Sequence, residues 1–119
     1  MAAHNELGKH GEQLAVKYLI GKGFEIRELN WRFQKAEVDI IAQKGDLLVI
    51  VEVKTRSNRF FGDPQEFVKQ AKIRLLIKAI DHYVTDLDLD VEVRFDVIGV
   101  VMTNLKTSLT HLEDAFYHF

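Results

Sequence analysis

Four residues near the middle of the chain could do chemistry together: the carboxylates of Glu37, Asp39 and Glu52 and the ammonium group of Lys54. Two apolar runs joined by Gly45-Asp46 predict a β-hairpin in this segment. A two-residue loop would set Asp39 opposite Glu52. It would likewise set Glu37 opposite Lys54, and opposed side chains of an antiparallel pair share one face of the sheet. The spacing therefore predicts that these four charged groups gather at one end of the hairpin.

Such a cluster needs a cation. Opposed carboxylates repel each other, and in a partly dry site one takes up a proton unless positive charge neutralises the pair. The run from Leu47 to Val51 is apolar on both faces, which indicates a central strand that carries Glu52 at its end. Carboxylates, backbone carbonyls and water suit Mg²⁺ or Mn²⁺. The alternative is a structural set of ion pairs, in which Lys54 neutralises the carboxylates without a metal.

The bulk properties set limits on the function. The 119 residues fit a single domain spanning 1–119, and the absence of cysteine excludes disulfides and thiolate metal sites. Because no long apolar run occurs, we expect no membrane span and no leader, and hence a cytoplasmic protein. The net charge of −2 gives no overall sign of nucleic-acid binding, so any such surface must be local.

Periodicity predicts an α/β fold with a central mixed sheet flanked by helices, in the order α-β-β-β-α-β-β. The first strand should contain an irregularity near Glu28, where the alternation changes parity. Asp63 and Pro64 are typical of a helix start. The predicted segments are helices at residues 4–22 and 63–84, and strands at 24–33, 37–42, 47–54, 91–101 and 108–116.

A local excess of positive charge follows the hairpin. Between Lys54 and Lys78 there are seven Lys or Arg residues against two Asp or Glu. Arg56 and Arg59 lie in the loop after the site-bearing strand, and Lys69 and Lys72 lie on the second helix. These cations would suit nucleic-acid phosphates, although a solvated basic face is the alternative. Glu12 lies near the edge of the apolar stripe of the first helix, so it is either a solvated carboxylate or one that faces the sheet.

The chain resembles the bacterial YraN family, whose members are described as endonucleases from fold and motif. The match covers nearly the whole chain and is most specific in EVDIIA at residues 37–42 and VEVKTR at residues 51–56. Two positions depart from the usual pattern, because Ala36 replaces a glycine and Val38 replaces a proline. Neither is a ligand. Further matching positions are Gly8, Gly11, Glu12, Ala15, Tyr18, Leu19, Asn30, Lys72, residues 61–64 and residues 94–97.

The resemblance implies a restriction-endonuclease-like fold, similar to that of archaeal Holliday-junction resolvases, and a D…ExK site. It implies that Asp39, Glu52 and the carbonyl of Val53 hold Mg²⁺ or Mn²⁺, with Glu12 adding a carboxylate. Lys54 would orient the attacking water or offset developing negative charge. Glu37 would not bind the metal directly and would have a supporting or structural role beside the ligands. On this basis we expect a metal-dependent nuclease that acts on DNA, and a homodimer is a further expectation.

Two other functions fit the sequence. A non-catalytic module could keep the fold and bind nucleic acid or a protein partner, with binding weakened by salt and by loss of Arg56, Arg59 or Lys72. A purely structural interaction protein would bind no nucleic acid. The intact set of Asp39, Glu52 and Lys54 favours the nuclease over both.

Overall fold

The computed structural model describes residues 2–57 and 70–115, and the side chains of residues 6–57 and 71–115. The described residues form two helices and five strands in the predicted order. The elements are α1 (Ala2–Gly21), β1 (Glu25–Phe33), β2 (Ala36–Lys44), β3 (Leu47–Arg56), α2 (Gln70–Asp86), β4 (Glu92–Met102) and β5 (Thr107–Leu112).

The five strands form one mixed sheet in the order β1-β2-β3-β4-β5. Only the β3–β4 pair is parallel, and the other neighbouring pairs are antiparallel. Parallel neighbours require a crossover connection, and α2 lies within the connection from β3 to β4. The prediction of a mixed sheet is confirmed.

The hairpin register follows from its loop. Lys44 pairs with Leu47, so Gly45 and Asp46 form the whole turn, and Gly45 adopts a positive φ of 62°. Glycine reaches this conformation without the steric cost that a side chain would add. Pairing then continues without a shift to Ile40 and Val51, as the two-residue loop predicts.

A hydrophobic core lies on each face of the sheet, because β2 and β3 are covered on both sides. Along β3, Leu48 and Ile50 pack in the core that contains α2, whereas Val49 and Val51 pack in the core that contains α1. This explains the apolar run without alternation. The prediction of a helix on each side of the sheet is confirmed.

The structure confirms the predicted irregularity of the first strand and defines which positions of the second helix are buried. The irregularity expected near Glu28 is present as a register shift between Ile26 and Glu28. The buried face of α2 includes Ile73, whereas Ala71 and Leu75, which helical periodicity would also allow on that face, are exposed. A helical stripe is wide enough for either set of positions to fit the periodicity.

Further differences concern the ends of elements. The predicted start of the second helix at residue 63 lies outside the described residues, and β5 ends at Leu112 rather than at residue 116. Neither α1 nor α2, as far as the structure describes them, is long and apolar enough to cross a membrane.

Candidate active site

A cleft opens where the ladder between β2 and β3 ends. The last recorded pair of that ladder is Ile40 with Val51, and the next residues along the strands are Asp39 and Glu52. The cleft has a volume of about 280 Å³. It is lined by Leu7, Gly8 and Glu12 of α1, Asp39 of β2, and Glu52, Val53, Lys54, Thr55 and Arg56 of β3.

Asp39 is held by the backbone of the neighbouring strand. The N–H of Val53 donates a hydrogen bond of 2.8 Å to Oδ2 of Asp39. Burial, and then the negative charge of Glu52, raise the pKa of Asp39 to about 7, although the hydrogen bond from Val53 opposes the shift. The two carboxylates that the hairpin register predicted to be opposed therefore do share one electrostatic environment.

A distortion of the sheet turns Asp39 toward this cleft. Val38 packs in the α2 core and Ile40 in the α1 core, although residues two apart on a regular strand face the same side. The neighbouring strand is irregular at the same level: Asn30 lies between the partners of Ile40 and Val38 and adopts a φ of 51°. Asp39 thus occupies the position at which β2 changes face.

Glu52 is buried, with 5% of its surface exposed, and two lysines contact it. Lys54 Nζ lies 3.7 Å from Oε1 of Glu52. Lys72 of α2 also forms an ion pair with Oε1 of Glu52, and this contact is the closer of the two. A buried carboxylate requires such partners because desolvation of an unpaired charge is costly.

Glu12 reaches the cleft from α1. Burial is the main cause of its raised pKa, which a hydrogen bond with the Asn30 side chain partly offsets. The charges of Glu37 and Glu52 raise the pKa further. The position of Glu12 therefore matches the alternative in which this carboxylate faces the sheet, and Asn30 is its contact on β1.

Glu37 lies elsewhere, and the pairing with Lys54 expected from the hairpin register does not form. Glu37 pairs across the other ladder with Arg32, and their charged atoms are 3.0 Å apart. Both side chains are exposed, so the ion pair contributes little to stability. The reason is that β2 and β3 are no longer paired beyond Ile40. The negative charge of Glu37 contributes to the raised pKa of Glu12, after burial, which is its main cause.

Of the four residues predicted to bind nucleic acid, two lie at the site and two lie outside the described residues. Arg56 lines the cleft, and its guanidinium donates a hydrogen bond of 2.9 Å to the carbonyl of Thr55. Lys72 faces into the site as the partner of Glu52. Arg59 and Lys69 lie outside the described residues.

The oxygen-rich donor set suits a hard divalent cation. Within residues 2–57 and 70–115, no three side chains among His, Asp and Glu are arranged to hold a metal by themselves. Mg²⁺ does not require three, because it commonly binds through one or two carboxylates and completes its shell with water. Asp39, Glu52 and the Val53 carbonyl fit that pattern, and Glu12 stands at the edge of the same cleft.

Close packing of α1 on β3 fixes the two walls of the cleft. Gly11 is buried, and a Cβ atom at this position would overlap Oγ1 of Thr55 and lie 2.9 Å from its Cγ2. Periodicity places Gly11 on the buried stripe but gives no sign of its contact. The contact with Thr55 brings Glu12, the next residue, against the end of β3.

A second polar cluster lies on the side of the sheet that α1 covers, and none of its residues lines the cleft. Asp96 of β4 is fully buried and accepts two hydrogen bonds of 2.9 Å from the guanidinium of Arg94. Nε2 of His111 lies 2.7 Å from the same carboxylate, and Nδ1 of His111 lies 2.9 Å from the hydroxyl of Tyr18. The backbone N–H of Asp114 also donates to Asp96 at 3.0 Å. These contacts join α1, β4 and β5.

Comparisons with known proteins show similarity to one protein family. The model of the uncharacterised protein family UPF0102 matches residues 11–100. The chain is 60% identical to a UPF0102 protein of Flavobacterium psychrophilum over 119 residues, which is the full length of both. It is 57% identical over 119 residues to a relative from Christiangramia forsetii, again over both full chains. It is 50% identical over 117 residues to one from Bacteroides thetaiotaomicron, covering 98% of this chain and 97% of the relative.

Proposed function

Because the chain belongs to the uncharacterised protein family UPF0102, whose description carries no activity, we propose a function from the cleft: metal-dependent hydrolysis of phosphodiester bonds in DNA. The observation that carries this proposal is the joint placement of Asp39, Glu52 and Lys54 in one cleft. Burial and the negative charge of Glu52 raise the pKa of Asp39, and a carboxylate perturbed in this way beside a strand end is typical of sites that hold a cation.

Each residue has a defined part in the proposed chemistry. Asp39, Glu52 and the carbonyl of Val53 would hold Mg²⁺ or Mn²⁺, with Glu12 as an additional carboxylate. When bound, the cation would supply Lewis acidity to the phosphate and to a nearby water. Lys54 would position the attacking water or stabilise the negative charge that develops on the phosphate.

The fold supports the assignment to the restriction-endonuclease-like superfamily. The order α-β-β-β-α-β-β and the mixed sheet are those expected of that superfamily. The spacing of Asp39, Glu52 and Lys54 reproduces its D…ExK pattern. A fold alone hosts many functions, so the proposal depends on the cleft residues rather than on the architecture.

The charges around the cleft support a polyanionic substrate. Lys54, Arg56 and Lys72 supply positive charge at the point where the carboxylates would otherwise repel a polyanion. We propose DNA, including branched recombination or repair intermediates, as the substrate. Phosphate contacts of this kind position a strand without reading its sequence.

The test is thermal unfolding of the wild type and Glu52→Gln in EDTA and in Mn²⁺, followed by cleavage assays on branched and linear DNA in Mg²⁺. A ligand that binds only the folded state raises the melting temperature. We expect Mn²⁺ to raise it for the wild type but not for Glu52→Gln. The matched control is Glu92→Gln, because Glu92 is exposed at the opposite end of the sheet, next to Leu47. This control should respond to Mn²⁺ as the wild type does.

A second candidate function is a nucleic-acid-binding module without catalysis. The observation in its favour is the ion pair between Lys72 and Glu52, which neutralises the carboxylate without a metal. This function predicts salt-sensitive DNA binding, no cleavage with any divalent cation, and no Mn²⁺-dependent change in melting temperature. The nuclease proposal fails if those three results occur together.

A further inference from the structure

Two ammonium groups converge on one oxygen of Glu52. Lys54 approaches Oε1 from the same strand at 3.7 Å, and Lys72 approaches the same atom more closely from α2. Glu52 is also the residue whose charge most strongly disfavours ionisation of Asp39, whereas the charge of Lys72 favours it. Lys72 therefore provides the positive charge that a bound divalent cation would provide at the same carboxylates.

We propose that Lys72 is a displaceable counter-ion: it neutralises Glu52 in the metal-free protein and leaves this carboxylate when a divalent cation binds. The inference rests on the proposed metal site and adds a control on its occupancy. Lys72 is a positioning residue in this scheme, since it acts through Glu52. The affinity of the site for metal is then set partly by a cation that the chain carries itself.

The surroundings of the two lysines explain why Lys72 is the one that leaves. Lys54 is fixed by its strand, which pairs with β4 at Gly99, and its side chain is 20% exposed. Lys72 lies near the first described turn of α2, and its side chain is 39% exposed. A long, flexible and partly exposed lysine can move its ammonium group into solvent at little cost.

Competition between cations gives a measurable consequence. A divalent ion that binds Glu52 must break the ion pair with Lys72 and is also repelled by the positive charge that Lys72 carries. Removing the charge of Lys72 therefore favours metal binding in two ways, because there is no ion pair to break and no repulsion from this lysine. If Lys72 instead served only to attach α2 to the sheet, its loss would loosen the site and weaken metal binding.

The first experiment is calorimetric titration of Mn²⁺ into the wild type, Lys72→Met and Lys78→Met. Methionine keeps most of the aliphatic stem and removes the charge. We expect Lys72→Met to bind Mn²⁺ about tenfold more tightly than the wild type. Lys78 is exposed on the same helix, so Lys78→Met should bind as the wild type does.

The outcomes separate this inference from the proposed function. If the wild type binds Mn²⁺ and Lys72→Met binds it equally or more weakly, the counter-ion role is overturned. The metal site itself is then unaffected. Binding by Lys72→Met alone supports the inference in its strongest form. Absence of binding in both overturns the metal site, and the inference with it.

The second experiment needs no variant of Lys72 and so does not depend on how a variant folds. Wild-type protein is acetylated briefly in EDTA or in Mg²⁺, and the modification of each lysine is measured by mass spectrometry. We expect Lys72 to be protected in EDTA and to react several-fold faster in Mg²⁺, while Lys78 reacts equally in both. Equal reactivity of Lys72 under the two conditions overturns the displacement.

Discussion

The backbone N–H of Val53 donates its hydrogen bond to Oδ2 of Asp39, with 2.8 Å between the two atoms. Asp39 belongs to β2 and Val53 to β3, and the regular ladder between these strands has already ended at Ile40 and Val51. A side chain thus takes the place of a backbone acceptor at the point where the strands separate. The candidate ligand and the opening of the cleft are therefore products of the same local structure.

The first prediction concerns Asp39 and pH. Burial and the charge of Glu52 raise the pKa of Asp39 to about 7 in the folded protein, above its ordinary value of 3.8. The folded state thus binds more protons between these values, and the stability of the metal-free protein falls as pH rises through that window. Asp39→Asn should remove this dependence and stabilise the protein in EDTA at pH 8 by about 2–4 kcal/mol.

Urea unfolding of the wild type and Asp39→Asn in EDTA, from pH 4 to pH 8, measures this difference. Asparagine retains a side-chain oxygen that can accept the hydrogen bond from Val53, so the comparison isolates the charge. A variant whose stability declines with pH as steeply as the wild type would show that Asp39 titrates normally.

The second prediction concerns Lys54. Lys54→Ala should abolish DNA cleavage without weakening Mn²⁺ binding, because the proposed role of Lys54 is at the water or phosphate rather than at the metal. Cleavage rates and Mn²⁺ titrations of the same preparation provide the measurement. Lys106→Ala is a suitable control, since Lys106 is exposed in the turn before β5. Unchanged cleavage by Lys54→Ala would remove this lysine from the mechanism.

The third prediction concerns the contact between α1 and β3. Gly11→Ala should destabilise the protein by about 1–3 kcal/mol, because the added methyl group overlaps Thr55. Gly8→Ala is the matched control: no described atom lies within 4 Å of its added Cβ. That substitution should stabilise the helix by up to about 1 kcal/mol. Chemical denaturation of both variants tests the pair, and equal effects would contradict close packing at Gly11.

The fourth prediction concerns Asp96. Burial alone would raise its pKa, but hydrogen bonds from His111 and Arg94 outweigh that effect and lower the pKa of Asp96. The ionised carboxylate of Asp96 therefore stabilises the folded protein at pH values above its ordinary pKa of 3.8. This stabilisation is lost progressively as the pH falls below that value. Asp96→Asn should cost about 2–4 kcal/mol at pH 7 and less as the pH falls below 3.8. Asp81→Asn, at an exposed position of α2, should change little at either pH when measured by urea unfolding.

Local rules predict the hairpin and its register because one short turn determines both. Gly45 and Asp46 fix the pairing as far as Ile40 and Val51. They do not predict that the ladder stops there, since this depends on the irregular conformation of Asn30 and on the change of face at Asp39. The gathering of Asp39 and Glu52 could thus be predicted, whereas the separation of Glu37 from Lys54 could not.

The contact of Lys72 with Glu52 lies beyond what sequence spacing can supply. Twenty residues separate the two positions, and only the path of α2 across the sheet brings them together. The same is true of Tyr18 and His111, which are 93 positions apart. Helix periodicity assigns a residue to a face, but it does not identify the residue of another element that the side chain meets.

The apolar run from Leu47 to Val51 has a consequence for handling the protein. This run lies in β3, which has β2 on one side and β4 on the other. Its partners on β4 follow about 45 residues later in the chain, with Leu47 beside Glu92 and Val51 beside Asp96. Until β4 is available, one edge of this uncharged, β-prone segment lacks its partner strand and can pair with another copy. Refolding yield should therefore fall as protein concentration rises, even though the native state buries Leu48 to Val51.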